Sequence, residues 1–112
     1  MNLYRPIRDE EKKLVLFLLS QCLVELMKFP IADEVFEYEG GVMGSINFAG
    51  SDPDNYAGDL IQAEYKDIDD VDVLITLTED KHNHLLDLDF WKVDFSKLIR
   101  YPTPELLGLL RK

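Results

Sequence analysis

The chain is 112 residues long, and its hydrophobic share of 46% and aromatic share of 11% argue against a disordered protein. It carries 12 Lys and Arg against 22 Asp and Glu, a formal net charge of -10 that disfavours nucleic acid and anionic membranes as partners. We expect one domain over residues 1–112. The acidity either attracts a basic protein partner or serves only solubility.

The single cysteine and the N-terminal sequence bear on the cell compartment. Cys22 has no second cysteine to pair with, and its leucine neighbours indicate an apolar core residue. The first residues lack the basic stretch and apolar run of a secretory signal. The longest apolar stretch, 14–27, is too short to span a bilayer. We therefore expect a cytoplasmic protein.

A helix over about residues 10–28 is the first predicted element. Asp9 is a favourable N-cap, acidic residues follow it, and Pro30 ends the segment. At helical spacing one apolar stripe forms, and its members are Val15, Leu19, Cys22, Leu23 and Leu26. Phe17 and Val24 lie on the polar side, seven residues apart. Either other parts of the chain cover them, or they form a homodimer interface.

Beyond Pro30 the apolar residues change to a spacing of two, which is typical of strands. We predict about five strands, over 34–38, 42–48, 59–66, 71–78 and 85–93. Turn residues separate them, which indicates an antiparallel meander. The segment 103–110 has Pro104 near its start and is rich in leucine, which predicts a short C-terminal helix.

The two faces of this predicted sheet differ in character. The apolar face collects Val42, Ile46, Phe48, Ile61, Ala63, Tyr65, Val73, Ile75, Leu77, Leu86, Leu88 and Phe90. The other face is mixed and acidic, and collects Met43, Ser45, Asn47, Gln62, Glu64, Leu74, Thr76, Asp87, Asp89 and Trp91. The sequence thus predicts an α+β fold, with a long N-terminal helix packed on the apolar face of the meander and a short C-terminal helix.

The strand predicted over 85–93 carries the only tryptophan of the chain. Asp87, Asp89 and Trp91 alternate with apolar residues and so point to the acidic face, which Glu64 of another strand shares. A large aromatic residue among carboxylates suits the binding of a basic protein. We predict that these four residues bind the partner. The alternative is a solvated sheet face with one half-buried tryptophan.

A histidine pair is the nearest approach to a metal site. His82 and His84 precede Asp87 and Asp89, and imidazole with carboxylate is a ligand set that first-row metals accept. Both histidines fall in a turn, where polar residues belong in any case, so we predict no metal and no cofactor. The alternative function is a small metal-dependent enzyme that uses this His/Asp cluster in the hairpin at 82–89. No hydrolase nucleophile with its base is recognisable, and we assign no catalytic residue.

Four aspartates between two predicted strands have the spacing of calcium ligands. They are Asp67, Asp69, Asp70 and Asp72. The glycine and the closing glutamate of a calcium loop are missing, and no helix is predicted after them. We therefore interpret them as residues that form a turn.

Two motifs carry a resemblance: Gly-Gly-Val-Met-Gly-Ser-Ile-Asn-Phe at 40–48, and Leu-Asp-Phe-Trp-Lys-Val-Asp-Phe-Ser-Lys-Leu-Ile-Arg at 88–100. With them the chain resembles a bacterial family of small domains of unknown function. The opening Arg5-Pro6-Ile7 with Glu10-Glu11 is similar to that family's start. The resemblance implies no activity. The small size and acidity also resemble immunity proteins of bacterial toxin systems, an analogy that makes a basic toxin the expected partner.

Overall fold

The computed structural model describes residues 4–22, 29–38 and 43–110. Within them, seven strands form one antiparallel sheet: β1 (Tyr4–Pro6), β2 (Glu34–Glu37), β3 (Ile46–Phe48), β4 (Tyr56–Lys66), β5 (Asp72–Asp80), β6 (Leu85–Lys92) and β7 (Gly108–Leu110). Their order across the sheet is β1-β2-β3-β6-β5-β4-β7. The same residues contain one α-helix, α1 (Asp9–Gln21). The fold is therefore mainly β, and the prediction of an α+β fold with a long helix on a sheet of five strands is wrong.

Helix α1 is shorter than predicted. At its start the Glu11 carboxylate accepts a hydrogen bond of 2.9 Å from the backbone N–H of Arg8, which is the N-cap residue in place of Asp9. At its end the backbone of Cys22 is extended, and the Ser20 hydroxyl donates to the carbonyl of Phe17 at 2.6 Å. Such a side-chain bond competes with continuation of the helix. The predicted continuation over 23–28 lies outside the described residues. No helix in the described part of the chain is long and apolar enough to cross a membrane.

The predicted meander is wrong because β3 does not pair with β4. It pairs with β6, where Ile46 lies opposite Leu88 and Asn47 lies opposite Asp87. Strands β4, β5 and β6 do follow one another as antiparallel neighbours. The free energy needed to close a loop rises only slowly with its length, so a pairing between distant segments competes well with a local one. This pairing brings residues just before β3 beside β6.

The C-terminal segment forms a strand and not the predicted helix. A 3₁₀ turn, Pro104–Leu106, is followed by extended backbone at Leu107 and then by β7. In β7, Gly108 lies opposite Glu64 of β4. The edge of β4 offers unpaired backbone groups, and pairing with them outweighs the weak local tendency of the leucines to form a helix. Strands β1 and β7, which were not predicted, are the two edges of the sheet.

The core lies between α1 and one face of the sheet. Helix α1 contributes Leu14, Val15, Leu18 and Leu19, all at most 1% exposed. The predicted apolar face of the sheet is buried throughout, except that Val42 lies outside the described residues. Phe17 is partly buried and packs against this core, so the domain itself covers part of the ring. Val24, the other residue of the predicted dimer interface, lies outside the described residues.

Candidate functional site

A cavity of about 590 Å³ opens on the face of the sheet opposite α1, and we call it the β6 cavity. Its lining residues are Tyr38, Met43, Ser45, Asp87, Asp89, Phe90, Trp91 and Phe95. Asp87, Asp89 and Trp91 reach it because they alternate along β6 with the buried Leu88 and Phe90. Three of the four predicted partner-binding residues therefore line one cavity.

Glu64, the fourth predicted residue, shares the face but not the cavity. Glu64 lies opposite Leu74, and Leu74 lies opposite Trp91, so the three residues form one row across β4, β5 and β6. Two strand spacings separate Glu64 from Trp91, a distance of about 10 Å. The Glu64 side chain is exposed and lines a different, smaller pocket beside Gly108. The structure thus places Glu64 at the margin of the predicted surface.

Two uncharged donors hold the Asp87 carboxylate in place. The hydroxyl of Tyr38 donates to Asp87 Oδ1 at 2.8 Å, and the amide of Asn47 donates to the same oxygen at 3.0 Å. Burial, together with the hydrogen bond to Asp87, raises the pKa of Tyr38 well above its ordinary value. Tyr38 therefore stays protonated and remains a donor across the physiological pH range. The arrangement orients Asp87 without cancelling its charge.

A buried serine just before β3, Ser45, lies within hydrogen-bond distance of Asp89. The Ser45 hydroxyl lies 3.2 Å from Asp89 Oδ1 and accepts a hydrogen bond of 2.8 Å from the backbone N–H of Phe90. Ser45 is only 6% exposed, whereas Asp89 is exposed. The serine thus connects the backbone of β6 at Phe90 with the Asp89 carboxylate that lines the cavity.

The aromatic wall of the β6 cavity consists of side chains that are exposed to water. Trp91 is 43% exposed and Phe95 is 76% exposed, and their ring centroids lie 6.1 Å apart with the ring planes at 54°. Phe95 has a φ of 63°, which a bulky residue seldom adopts. Its backbone N–H donates to the carbonyl of Lys92 at 2.8 Å, closing the turn that brings the ring back beside Trp91. Large exposed aromatic rings beside two carboxylates are typical of a binding surface.

Sequence reasoning missed Tyr38, because its place beside Asp87 depends on the unpredicted pairing of β3 with β6. Phe95 lies two residues beyond the predicted strand that carries Trp91, and its left-handed backbone turns the ring toward the cavity. No periodic pattern predicts such a turn. The sequence offers only one weak indication of Phe95 as a cavity residue, namely a Phe or Tyr within a few residues of a strand that carries Asp-x-Asp-x-Trp.

A second acidic group, which we call the Lys92 cluster, was also missed. Lys92, Asp67 and Asp69 form it: the ammonium donates to Asp67 Oδ2 at 3.0 Å, to Asp69 Oδ2 at 2.7 Å and to the carbonyl of Lys97 at 3.0 Å. Lys92 is 0% exposed and Asp67 is 2% exposed. The interpretation of these aspartates as mere turn formers was incomplete. Lys92 follows Leu88 and Phe90 at a spacing of two, and that inward position of a lysine is the signal that sequence offers.

Backbone donors complete the Lys92 cluster. The Asp67 carboxylate accepts hydrogen bonds from the backbone N–H groups of Ile68 at 2.8 Å, Ile99 at 2.8 Å and Arg100 at 3.1 Å. Burial by itself raises the pKa of Asp67, but these bonds and the one from Lys92 outweigh it, and the pKa is lowered. The cluster joins the β4–β5 turn, the end of β6 and the segment that follows β6. Its role is structural.

The two histidines lie in the β5–β6 turn and not in the β6 cavity. His84 Nδ1 lies 3.0 Å from Asp80 Oδ2, and His82 Nε2 lies 3.6 Å from Asp52 Oδ2. Neither histidine lines the cavity that Asp87 and Asp89 share. Residues 4–22, 29–38 and 43–110 contain no group of three or more His, Cys, Asp or Glu side chains that could hold a metal ion. The structure therefore places the two histidines beside Asp52 and Asp80 and does not bring them together with Asp87 and Asp89.

Asp80 explains why the histidine turn has its shape. This buried carboxylate accepts hydrogen bonds from the backbone N–H groups of Asp52, His82 and His84 at 3.0, 2.8 and 2.9 Å. Burial by itself raises the pKa of Asp80, but the three backbone donors and the His84 ring lower it to about 2. Asp80 organises the turn as Asp67 organises the other hairpin.

Comparison with known proteins finds a family model that covers most of the chain. The model of a protein family described as Domain of unknown function (DUF6984) matches residues 4–102. The matched span contains all residues that line the β6 cavity and the whole Lys92 cluster. No curated protein and no solved structure matches the chain. The resemblance to a family of small domains of unknown function is confirmed at that level.

Proposed function

We propose that this chain, which belongs to the DUF6984 family of domains of unknown function, is a non-catalytic module that binds a basic protein. The proposal comes from the geometry of the β6 cavity. The observation that carries this proposal is that Asp87, Asp89 and Trp91 line one open cavity together with Tyr38 and Phe95. Carboxylates supply charge complementarity to a basic surface, and aromatic side chains supply most of the contact energy in typical interfaces.

The charge of the whole chain supports the same kind of partner. A formal net charge of -10 on 112 residues attracts a basic protein over distances comparable with the Debye length and speeds the encounter. The local site then decides where the partner docks. Glu64, about 10 Å from Trp91 on the same face, belongs to the rim of this surface, where a charge contributes more to the rate of association than to affinity.

The partner that we propose is a basic bacterial toxin, with the chain acting as its immunity protein. The support is the small size of the chain, its acidity and an exposed binding surface with which it can cover a basic active site. An immunity protein needs no chemistry of its own, which agrees with a site made of recognition residues. The alternative of a metal-dependent enzyme gains no support from the histidine turn, and we do not propose it.

For an immunity protein we expect a basic toxin to be encoded beside its gene, and the test starts from that protein. That protein is co-expressed with the wild type, with the double variant Asp87→Asn/Asp89→Asn, and with the control Asp54→Asn/Asp70→Asn. Asp54 and Asp70 are exposed and lie outside the β6 cavity, so the control removes the same amount of charge. We expect the wild type and the control to co-purify with the partner and to restore growth, and the cavity variant to do neither.

Two results would overturn the proposal. One is a wild type that neither binds the basic neighbour nor protects cells against it. The other is equal loss of binding in both double variants, because this would mean that only net charge matters and that the β6 cavity is not the site. Circular dichroism of each variant checks that folding is intact.

A further inference from the structure

We infer that the β6 cavity receives a single guanidinium group, from an arginine side chain that the partner presents. This inference rests on the proposed function and makes it more specific, because it names the chemical group that enters the cavity. Three features point to a guanidinium: the Asp87 oxygen that no described donor occupies, the aromatic faces beside it, and the contrast with the ammonium site that the chain already contains.

The Asp87 carboxylate is fixed so that one of its oxygens serves a ligand. Tyr38 and Asn47 both donate to Oδ1, at 2.8 and 3.0 Å, and no donor from the described residues occupies Oδ2. Asp89 lies two residues further along β6 on the same face, about 6.6 Å away. A guanidinium carries five N–H donors in one plane, and such a planar fork suits recognition by more than one carboxylate oxygen.

The aromatic wall favours a guanidinium over an ammonium. Rings of Trp91 and Phe95 stand 6.1 Å apart at 54°, and the ring of Tyr38 borders the same space. A cation beside an aromatic face is attracted by the negative face of the ring. Guanidinium is planar and weakly hydrated, so it stacks on such rings at a smaller desolvation cost than an ammonium.

The Lys92 cluster shows how the same chain binds an ammonium group. Three acceptors surround Lys92 Nζ at 2.7 to 3.0 Å, one for each proton, and the side chain is fully buried. That geometry suits a compact charge with three donors. The β6 cavity is different, because it is open, has a volume of about 590 Å³ and has flat aromatic walls. Its shape fits a flat cation.

The experiment uses Trp91, the only tryptophan, as the reporter. N-acetyl-arginine amide is titrated into the full chain at constant ionic strength, and the Trp91 emission is recorded. N-acetyl-citrulline amide, which has a neutral urea group in place of the guanidinium, is the matched control ligand, and N-acetyl-lysine amide is the competing cation. The indole N–H resonance of Trp91 in NMR spectra gives a second, independent reading.

We expect saturable binding of the arginine compound with a Kd on the order of 1 mM, as for a small ligand with few contacts. The lysine compound should bind about threefold to tenfold more weakly, and the citrulline compound should not saturate. Asp87→Asn/Asp89→Asn should weaken the arginine complex about tenfold, and Phe95→Ala about threefold. Asp54→Asn/Asp70→Asn should leave the Kd unchanged.

The inference fails if neither reading changes with the arginine compound, if citrulline or lysine gives the same Kd, or if the cavity variant binds as well as the wild type. These results are separable from failure of the proposed function. A chain that binds its basic neighbour through Asp87 and Asp89 but ignores the arginine compound refutes the guanidinium alone. A chain that binds the arginine compound but no basic protein refutes the proposed function alone.

Discussion

Asp67 and Asp87, on opposite sides of β6, differ in the kind of donor that holds them. On the core side, Asp67 and Asp69 receive their positive charge from within the chain, because the buried Lys92 donates to both. On the outer side, Asp87 receives hydrogen bonds from the uncharged groups of Tyr38 and Asn47, which orient it and leave its charge in place. The comparison teaches that a buried ammonium of the chain pairs with Asp67 and Asp69, whereas Asp87 is oriented by uncharged donors and keeps a charge that we propose a partner meets.

The two groups of aspartates should affect two different quantities, the free energy of unfolding and the affinity for the partner. Variants of the Lys92 cluster should change the free energy of unfolding and leave partner affinity alone in whatever fraction stays folded. Variants of the β6 cavity should change affinity and should lower the free energy of unfolding much less than variants of the Lys92 cluster do.

Asp67→Ala should have the largest effect, a loss of about 3–5 kcal/mol in the free energy of unfolding. The reason is that the change leaves Lys92 buried with half of its carboxylate partners and leaves the N–H groups of Ile68, Ile99 and Arg100 without their acceptor. Urea unfolding followed by Trp91 fluorescence measures the loss.

Asp70→Asn is the control for that measurement. Asp70 lies in the same turn, is exposed and has a φ of 66°, a conformation that asparagine adopts readily. Its change should stay within about 0.5 kcal/mol. Equal losses at Asp67 and Asp70 would contradict a specific role for the buried cluster.

The difference between the two sides of β6 could be predicted only in part. Alternation of apolar and polar residues placed Leu88 and Phe90 in the core and Asp87 with Asp89 on the outer face, because side-chain direction in a strand is a local property. The pairing of β3 with β6, which brings Tyr38 to Asp87, is not local. Periodicity gives no information about which distant strand is the neighbour, so the meander was predicted in its place.

The wrong prediction of a C-terminal helix and the missed Lys92 cluster have the same physical origin. The leucines at 106–110 fit a helix locally, but β7 forms because the edge of β4 is available there. Lys92 can be buried only because Asp67 and Asp69 lie beside it in space, although they are 25 and 23 residues away in the sequence. Local propensity and residue pattern thus predicted several strands and the face of the sheet to which their side chains point. Which strands pair, and which distant side chains meet, depends on the tertiary structure.

Trp91→Ala should cause the next largest effect, and on the other side of the comparison. Loss of a central aromatic contact should weaken partner binding by about 2 kcal/mol, or roughly thirtyfold in Kd. Because the side chain is 43% exposed, the free energy of unfolding should fall by less than about 1.5 kcal/mol. Isothermal titration with the partner and urea unfolding measure the two quantities.

Ile68→Ala is the matched control for Trp91→Ala. Ile68 is 63% exposed and lies in the β4–β5 turn, away from the residues that line the β6 cavity. Its truncation should leave affinity unchanged. A Trp91 variant that keeps wild-type affinity, or an Ile68 variant that loses as much, would remove the β6 cavity from the interface.

Asp80→Ala refines the comparison, because Asp80 is a buried aspartate whose donors are mainly backbone N–H groups. We expect a loss of about 1–2 kcal/mol at neutral pH, since some of the freed donors in the turn gain water. The pKa of Asp80 is lowered from 3.8 to about 2, so its contribution is present above pH 4 and is lost as the pH falls toward 2. Urea unfolding at several pH values should therefore show that the gap between wild type and variant narrows over that window. A gap that stays constant from pH 6 to pH 2 would contradict the assignment.

Salt should have the smallest effect and separates the two sides of β6 without any substitution in the cavity. Raising sodium chloride from about 50 mM to 500 mM shortens the Debye length to a few ångströms, so partner affinity should fall about threefold to tenfold, mostly through a slower association rate. The difference in unfolding free energy between wild type and Asp67→Ala should hardly change, because buried pairs are screened much less. Stopped-flow association and urea unfolding at both salt concentrations test this directly. Affinity that does not respond to salt would mean that the carboxylates of the β6 cavity do not meet a basic surface, and a stability difference that collapses with salt would mean that the Lys92 cluster is open to solvent.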